Sequence, residues 1–130
     1  MDLDGKNIVI IGGSSGMGLA TAVAAAAAGA AVTIASSDKS RLDTALAALP
    51  AGCAGAVIDT RSEASVAEAL DRIGELDHLV YTAGDTVTPR PLTEATPEEA
   101  RQLFEVRFFG ARSRRSGTRP RGSGQAARSC

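Results

Sequence analysis

A glycine-rich segment near the N-terminus is the part of this 130-residue sequence best suited to chemistry. It reads Gly12-Gly13-Ser14-Ser15-Gly16-Met17-Gly18 and follows the apolar run at residues 8–11. Gly12 can adopt the backbone angles of a sharp strand-to-helix turn, Gly16 lets an anion approach the backbone, and Gly18 allows close helix packing. Amides at a helix N-terminus carry partial positive charge. The segment therefore predicts a diphosphate site, with a purely structural tight turn as the alternative.

Alternating strands and helices must position this segment. Apolar runs predict strands at residues 8–11, 31–35, 54–58 and 76–82, and helical spacing predicts helices at residues 16–28, 40–49 and 62–73. Ser62 is a candidate N-cap, and Thr96-Pro97-Glu98-Glu99 predicts the start of a fourth helix. The order indicates right-handed βαβ units, hence an α/β, Rossmann-like, doubly wound parallel sheet that extends to the fourth strand and the helix after it.

The distribution of charge divides the chain in two. Residues 1–110 contain eight basic and all fifteen acidic residues, a net charge of −7, whereas residues 111–130 contain six arginines and no acid. The second segment has no Val, Ile, Leu, Met or Phe and cannot build a core. We expect residues 1–110 to form one folded unit and residues 111–130 to be a disordered, Arg-rich tail.

Composition also bears on partners and location. No apolar run is long enough to span a bilayer, and the acidic start Met1-Asp2-Leu3-Asp4 is unlike a secretory signal. Cys53 and Cys130 lie far apart, without metal-ligand spacing around them. The Arg-rich tail has no aromatic residues to stack on bases. We expect a cytoplasmic protein with no membrane, metal or nucleic-acid partner.

Three motifs together resemble the short-chain dehydrogenase/reductase family. The spacing G-x-x-x-G-x-G before Leu19-Ala20 is similar to that family's glycine motif, although Ile11 replaces the usual Thr. Asp59-Thr60 follows the third strand, where the family's Asp contacts adenine; a turn-forming role is the alternative for Asp59. Tyr81-Thr82-Ala83-Gly84 stands where the family has Asn-Asn-Ala-Gly.

The resemblance implies that residues 1–110 are a nicotinamide-dinucleotide-binding half-domain. It implies the following cofactor-binding residues: Gly12, Ser14, Ser15, Gly16, Met17, Gly18, Ser36, Asp59, Thr60, Ala83 and Gly84.

Cofactor choice depends on the end of the second strand. NAD-using relatives carry Asp where this chain has Ser36, and NADP-preferring relatives often carry Arg where it has Ser37. An acid there would repel a 2′-phosphate. Because Ser36 is neutral and Lys39 or Arg41 could reach a 2′-phosphate, the resemblance favours NADP over NAD. The alternative for both basic side chains is that they are merely solvated. Asp38, twenty residues after Gly18, is near the spacing at which an acid bonds the ribose 2′-OH of NAD, with a solvated turn residue or helix cap as the alternative.

The family's proton-transfer residues are missing from these 130 residues. The resemblance implies hydride transfer on an alcohol or carbonyl, with a catalytic Ser and a Tyr that a Lys follows four residues later. Tyr81 is the only Tyr, Lys6 and Lys39 are the only lysines, and Arg107 stands where the family has Asn. His78 is interpreted as structural or solvated. We therefore assign no catalytic residue and expect an inactive chain; the alternative is a dinucleotide-binding module. Complete relatives are expected to be homo-oligomers.

The sudden change of composition after Gly110 suggests a frameshift. Translated out of frame with GC-rich third bases, residues 111–130 yield an apolar helix that continues into Pro-Gly-Gly-Ser-Ile-Val, which resembles the family's turn into a fifth strand. We expect resequencing of the locus to restore an in-phase continuation downstream. An intact frame without such a continuation would rule the frameshift out.

Overall fold

The computed structural model describes residues 2–84, 91–94 and 96–104. Strands and helices alternate as β1 (Asn7–Ile11), α1 (Gly16–Ala27), β2 (Ala31–Ser36), α2 (Lys39–Ala48), β3 (Ala54–Val57), α3 (Glu63–Ile73), β4 (His78–Tyr81), a 3-10 turn (Leu92–Glu94) and α4 (Pro97–Phe104). The strands pair in parallel in the order β3-β2-β1-β4. This arrangement confirms the Rossmann-like α/β class. The observed β4 is shorter than the predicted strand at residues 76–82.

The central strand β1 supplies side chains to two cores. Ile8 and Ile10 pack with buried residues of α1 and α2, whereas Val9 and Ile11 pack with buried residues of α3. Successive side chains of a strand point to opposite faces, so a continuous branched apolar run fills both sides of the sheet. Helices therefore cover both faces, as a doubly wound sheet requires.

The ends of the helices follow the local signals in the sequence. Gly29 adopts a left-handed φ of 88° directly after α1 and its C-cap, as a chain reversal there requires. The Ser62 side chain accepts a hydrogen bond from the Ser65 amide and caps α3, as predicted. Thr96 and Glu99 form a reciprocal capping box at α4, with side chain–amide distances of 3.3 and 3.1 Å.

Several predictions fall outside the described part of the chain. They concern Arg107 and the tail at residues 111–130. Within residues 2–84, 91–94 and 96–104, no helix is both long and apolar enough to cross a membrane, and no group of three or more His, Cys, Asp or Glu side chains is arranged to hold a metal ion.

Candidate functional site

An open cavity of about 270 Å³ lies along one edge of the sheet. Because all four strands are parallel, their carboxyl ends meet at this edge, where Ile11 pairs with both Ala35 and Tyr81. The loops that follow the four strands line the cavity together: Ile11, Gly12, Ser14, Ser15, Gly16, Met17, Gly18, Ser36, Ser37, Arg41, Ile58, Asp59, Thr60, Arg61, Thr82, Ala83 and Gly84. Ligands of open α/β sheets bind at such an edge.

The glycine segment makes the tightest backbone contacts of this edge. Gly12 has a left-handed φ of 89°, and a Cβ on it would lie 2.5 Å from the Ala83 nitrogen. A Cβ on Gly18 would overlap the Gly12 carbonyl oxygen and lie 2.5 Å from Thr82 Oγ1. A side chain at Gly12 would push the loop away from the segment after β4, and a side chain at Gly18 would push α1 away from the loop. The turn and close-packing roles predicted for these glycines are thus seen in the backbone.

Hydrogen bonds fasten the loop to the strands on both of its sides. The amides of Gly12 and Gly13 both donate to the Ala35 carbonyl, at 2.9 and 3.2 Å. From the other side, the amides of Thr82 and Ala83 donate to the Ile11 carbonyl, at 2.8 and 3.1 Å. The Thr82 hydroxyl also donates toward the Gly12 carbonyl, at 3.2 Å. The loop that follows β1 is therefore held in one shape before any ligand arrives.

The first turn of α1 is open to the cavity. Gly16 begins the helix with a left-handed φ of 53°, and a Cβ on it would meet nothing within 4 Å. The N-cap residue Ser15 makes no side-chain hydrogen bond to the helix, and the first turn carries no acidic residue. By contrast, Asp38 and Ser62 cap α2 and α3 with their side chains. The amides at the start of α1 thus face the cavity without a carboxylate to compete for them.

A neutral hydroxyl pair lies at the end of β2. Ser14 Oγ donates to Ser36 Oγ over 3.1 Å, and the Asp38 amide donates to the same oxygen over 3.2 Å. The Asp38 carboxylate caps α2 by accepting from the Arg41 amide at 3.0 Å, and Asp38 does not line the cavity. Of the two interpretations of Asp38, the helix cap is the one observed.

The two basic residues considered for cofactor choice have different surroundings. Lys39 Nζ lies 2.7 Å from Asp43 Oδ2, and Lys39 is not among the cavity-lining residues. Arg41 lines the cavity, and its Nε lies 3.8 Å from Asp38 Oδ2. A recess beside this cavity is lined by Ser14, Ser15, Ser40, Arg41 and Thr44. Of the pair, Arg41 borders the cavity and Lys39 does not.

Asp59 both shapes a turn and lines the cavity. Its Oδ1 accepts hydrogen bonds from the Arg61 amide at 3.0 Å and from Arg61 Nε at 3.3 Å. The bond from the Arg61 amide holds the pKa of this carboxyl below its ordinary value; slight burial opposes that shift, and the Arg61 side chain adds to it. Any stability that follows from this lowering is present above the ordinary pKa and is lost as the pH falls through the lowered one. At neutral pH Asp59 is ionised.

The eleven residues predicted to bind a cofactor all line this one cavity. Sequence reasoning did not include Ile11, Ser37, Ile58, Arg61 and Thr82, which line it as well. Ile11 and Ile58 are the apolar residues at or directly after the ends of β1 and β3, and that position was the available signal. Arg61 gave no such signal, since its place depends on the turn that Asp59 forms.

The single His and the single Tyr of the sequence do not line the cavity. His78 is exposed at the opposite, N-terminal end of β4. Tyr81 is half-buried and packs against the core formed by Val9, Ile11 and α3. Neither residue is placed to exchange a proton with a ligand in the cavity.

Comparisons with known proteins agree with this geometry. Residues 6–114 match the model of the family described as short chain dehydrogenase. The chain is 34% identical over 121 residues to the short-chain dehydrogenase/reductase malC of Malbranchea aurantiaca, covering 82% of this chain and 46% of that protein. It is 39% identical over 115 residues to a sorbitol dehydrogenase of Cereibacter sphaeroides, covering 85% and 44%.

Solved structures show the same likeness. A 3-ketoacyl-(acyl-carrier-protein) reductase from Brucella melitensis, complexed with NADH, superposes with a TM-score of 0.76 at 29% identity, covering 86% of this chain and 48% of that one. An L-sorbose reductase from Gluconobacter frateurii, complexed with NADPH and L-sorbose, gives a TM-score of 0.80 at 27% identity, covering 91% and 48%. The chain spans about half the length of the relatives it matches.

The contact at Gly18 predicts a stability effect opposite to helix propensity. Propensity alone would make Gly18→Ala stabilising by about 1 kcal/mol, but overlap with the Gly12 carbonyl should destabilise the fold by about 1–3 kcal/mol. Gly16→Ala is the matched control, because it meets open space and incurs only the left-handed backbone cost of about 1 kcal/mol. Urea unfolding followed by circular dichroism measures both, and a Gly18→Ala protein as stable as the parent would contradict the packing.

Proposed function

Because the chain belongs to the short-chain dehydrogenase family, we propose that its cavity binds a nicotinamide dinucleotide with the diphosphate at the start of α1. The observation that carries the proposal is the open first turn of that helix, where Gly16 leaves the backbone uncovered and no side chain caps the amides. Backbone amides so arranged bind phosphate oxygens through charge-assisted hydrogen bonds. The NADH and NADPH complexes of similar proteins support the same choice of ligand.

The charges around the cavity suit an anionic ligand. Its lining includes two guanidinium groups, from Arg41 and Arg61, and one carboxylate, from Asp59. The carboxylate belongs to the loop after β3, and the first turn of α1 itself carries no acidic residue. A diphosphate at Gly16 would therefore meet amides and not a like charge. The adenosine half of the ligand would extend toward the ends of β2 and β3, where Ser36 and Asp59 lie.

We further propose that this 130-residue chain binds the dinucleotide without turnover. The bound nicotinamide would supply or accept hydride, and the protein would have to handle the accompanying proton. The Tyr–Lys pair that would do this in the family has no counterpart here, since Lys6 and Lys39 are the only lysines. Hydride transfer on an alcohol or carbonyl is the activity proposed for a full-length relative.

The recess beside the cavity supports a preference for NADP. Its lining combines the hydroxyls of Ser14, Ser15, Ser40 and Thr44 with the Arg41 guanidinium, and none of these lining residues is acidic. Hydroxyl and guanidinium donors are the groups that bind a phosphate monoester. A 2′-phosphate near Ser36 would lie next to this recess, because Ser14, which lines the recess, donates a hydrogen bond to Ser36.

We propose residues 1–110 as the dinucleotide-binding unit, residues 111–130 as a separate segment, a cytoplasmic location, and homo-oligomeric assembly for complete relatives. The support for the first two is the change of charge and apolar content after Gly110.

Dinucleotide binding is tested by titrating NADPH and NADH while following nicotinamide fluorescence. Gly16→Ala puts a methyl group where the diphosphate should lie and should weaken both ligands at least about tenfold, a loss of roughly 1.4 kcal/mol. Gly5→Ala is the control, since Gly5 has a similar left-handed φ of 67° and open surroundings but does not line the cavity. Equal affinity in both variants would contradict the diphosphate site. Turnover of a generic carbonyl by the parent chain would contradict the proposal of inactivity.

The NADP preference is tested with two substitutions on one helix. Arg41→Ala should weaken NADPH about tenfold and NADH less than about twofold, because a charge-assisted bond to phosphate contributes roughly 1.5–3 kcal/mol. Lys39→Ala removes the same charge from a residue outside the cavity and should change neither affinity by more than about twofold. If Arg41→Ala weakened the affinities for NADPH and NADH equally, Arg41 would not bind the 2′-phosphate.

A further inference from the structure

A methionine at the start of α1 borders the cavity. Met17 lines the cavity and is 79% exposed, the largest value among the big apolar side chains in the described part of the chain. The residues that α1 buries are Gly18, Ala22 and Ala25, and Leu19 packs against the core on this face of the sheet. Packing therefore does not account for Met17, whose surroundings are solvent and whatever occupies the cavity.

This exposure makes the Met17 thioether open to oxidation, which depends on access to the sulfur. Cys53, by contrast, is half-buried, packs against the core and does not line the cavity. Hydrogen peroxide would transfer one oxygen atom to the Met17 sulfur. A sulfur lone pair would form the S–O bond, the O–O bond would break and water would leave, so that the sulfur is oxidised by two electrons and the peroxide is reduced.

The added oxygen would enter a positively polarised environment. Met17 is the second residue of α1, whose first turn has neither an acidic residue nor a capping side chain. The amides of such a turn carry partial positive charge. Oxidation turns an apolar thioether into a polar sulfoxide, whose oxygen accepts hydrogen bonds. A sulfoxide at Met17 is therefore a competitor for the amides to which the diphosphate is proposed to bind.

We propose that Met17 is an oxidation site through which peroxide weakens dinucleotide binding by this chain. The inference rests on the proposed function, because it concerns the same cavity. The sulfoxide oxygen accepts hydrogen bonds that phosphate oxygens would otherwise receive, and its partial negative charge repels the diphosphate. Conversely, a bound dinucleotide covers the Met17 side chain and slows its oxidation. The exposed position also means that oxidation leaves the two cores intact.

The test compares NADPH affinity before and after treatment with hydrogen peroxide, which catalase then removes. Each protein is compared with its own affinity before treatment. Met17→Leu keeps Met1, Cys53 and Cys130, so it measures the effect of the other oxidisable sulfurs. Met17→Leu combined with Val23→Met is the matched control, because Val23 is 44% exposed on the same helix and does not line the cavity. Peptide mass mapping locates each added oxygen, and urea unfolding measures stability.

We expect peroxide to add one oxygen to Met17 and to weaken NADPH binding by the parent chain about fivefold, as the loss of one hydrogen bond to phosphate would give. The unfolding midpoint should not change, and methionine sulfoxide reductases A and B together should restore the affinity. Neither variant should lose more than about twofold, although the double variant is oxidised at position 23. Saturating NADP⁺ during the treatment should slow the oxidation of Met17 at least about fivefold, because susceptibility follows exposure.

Several outcomes would decide against the oxidation site. An unchanged affinity with Met17 fully oxidised, or a Met17 that peroxide leaves unmodified, would refute it while leaving dinucleotide binding intact. An equal loss in Met17→Leu would assign the effect to another sulfur, and an equal loss in the double variant would show that the position on α1 does not matter. A lower unfolding midpoint would assign the loss to damage of the fold, and equal oxidation rates with and without NADP⁺ would show that the ligand does not cover Met17. A parent chain that binds no NADPH before treatment would refute the proposed function itself.

Discussion

The backbone of α1 lies against the Gly12 carbonyl and the Thr82 hydroxyl with no room for a side chain at Gly18. This contact brings the first turn of the helix to the edge of the sheet, where its amides border the cavity. Hydrogen bonds from Gly12 and Gly13 to Ala35 hold the loop on its other side. The shape of the proposed anion site is thus a property of backbone packing, and it does not depend on a charged side chain.

The parallel sheet brings together loops that are far apart in sequence. The segments 12–18, 36–41, 58–61 and 82–84 each contribute residues to one cavity, because each segment follows a strand that ends at the same edge. β1 makes this possible by filling the cores on both faces of the sheet. The fold then leaves the carboxyl edge to the loops, where polar residues need not pack.

The features that the sequence predicted are those whose physical cause is local. Glycine spacing, the caps at Ser62 and Thr96, and the alternation of apolar runs each depend on a few neighbouring residues. Sequence reasoning could not separate Lys39 from Arg41, since both lie in one helical turn and only the packing of α2 decides which one borders the cavity. It also missed Thr82 and Arg61, whose roles depend on a hydroxyl reaching another strand's loop and on a guanidinium bonding within its own turn.

The two-sided character of β1 has a consequence for strand alignment. If β1 shifted by one residue against its neighbours, Ile8 and Ile10 would move to the core that now holds Val9 and Ile11, and the reverse. Branched apolar side chains of similar size would still be buried on each face. Burial of apolar side chains therefore favours the observed strand register only weakly over a register shifted by one residue. The amides that meet the Ile11 and Ala35 carbonyls are specific to the observed pairing. The loop that lines the cavity thus also fixes the register of the central strand against its two neighbours.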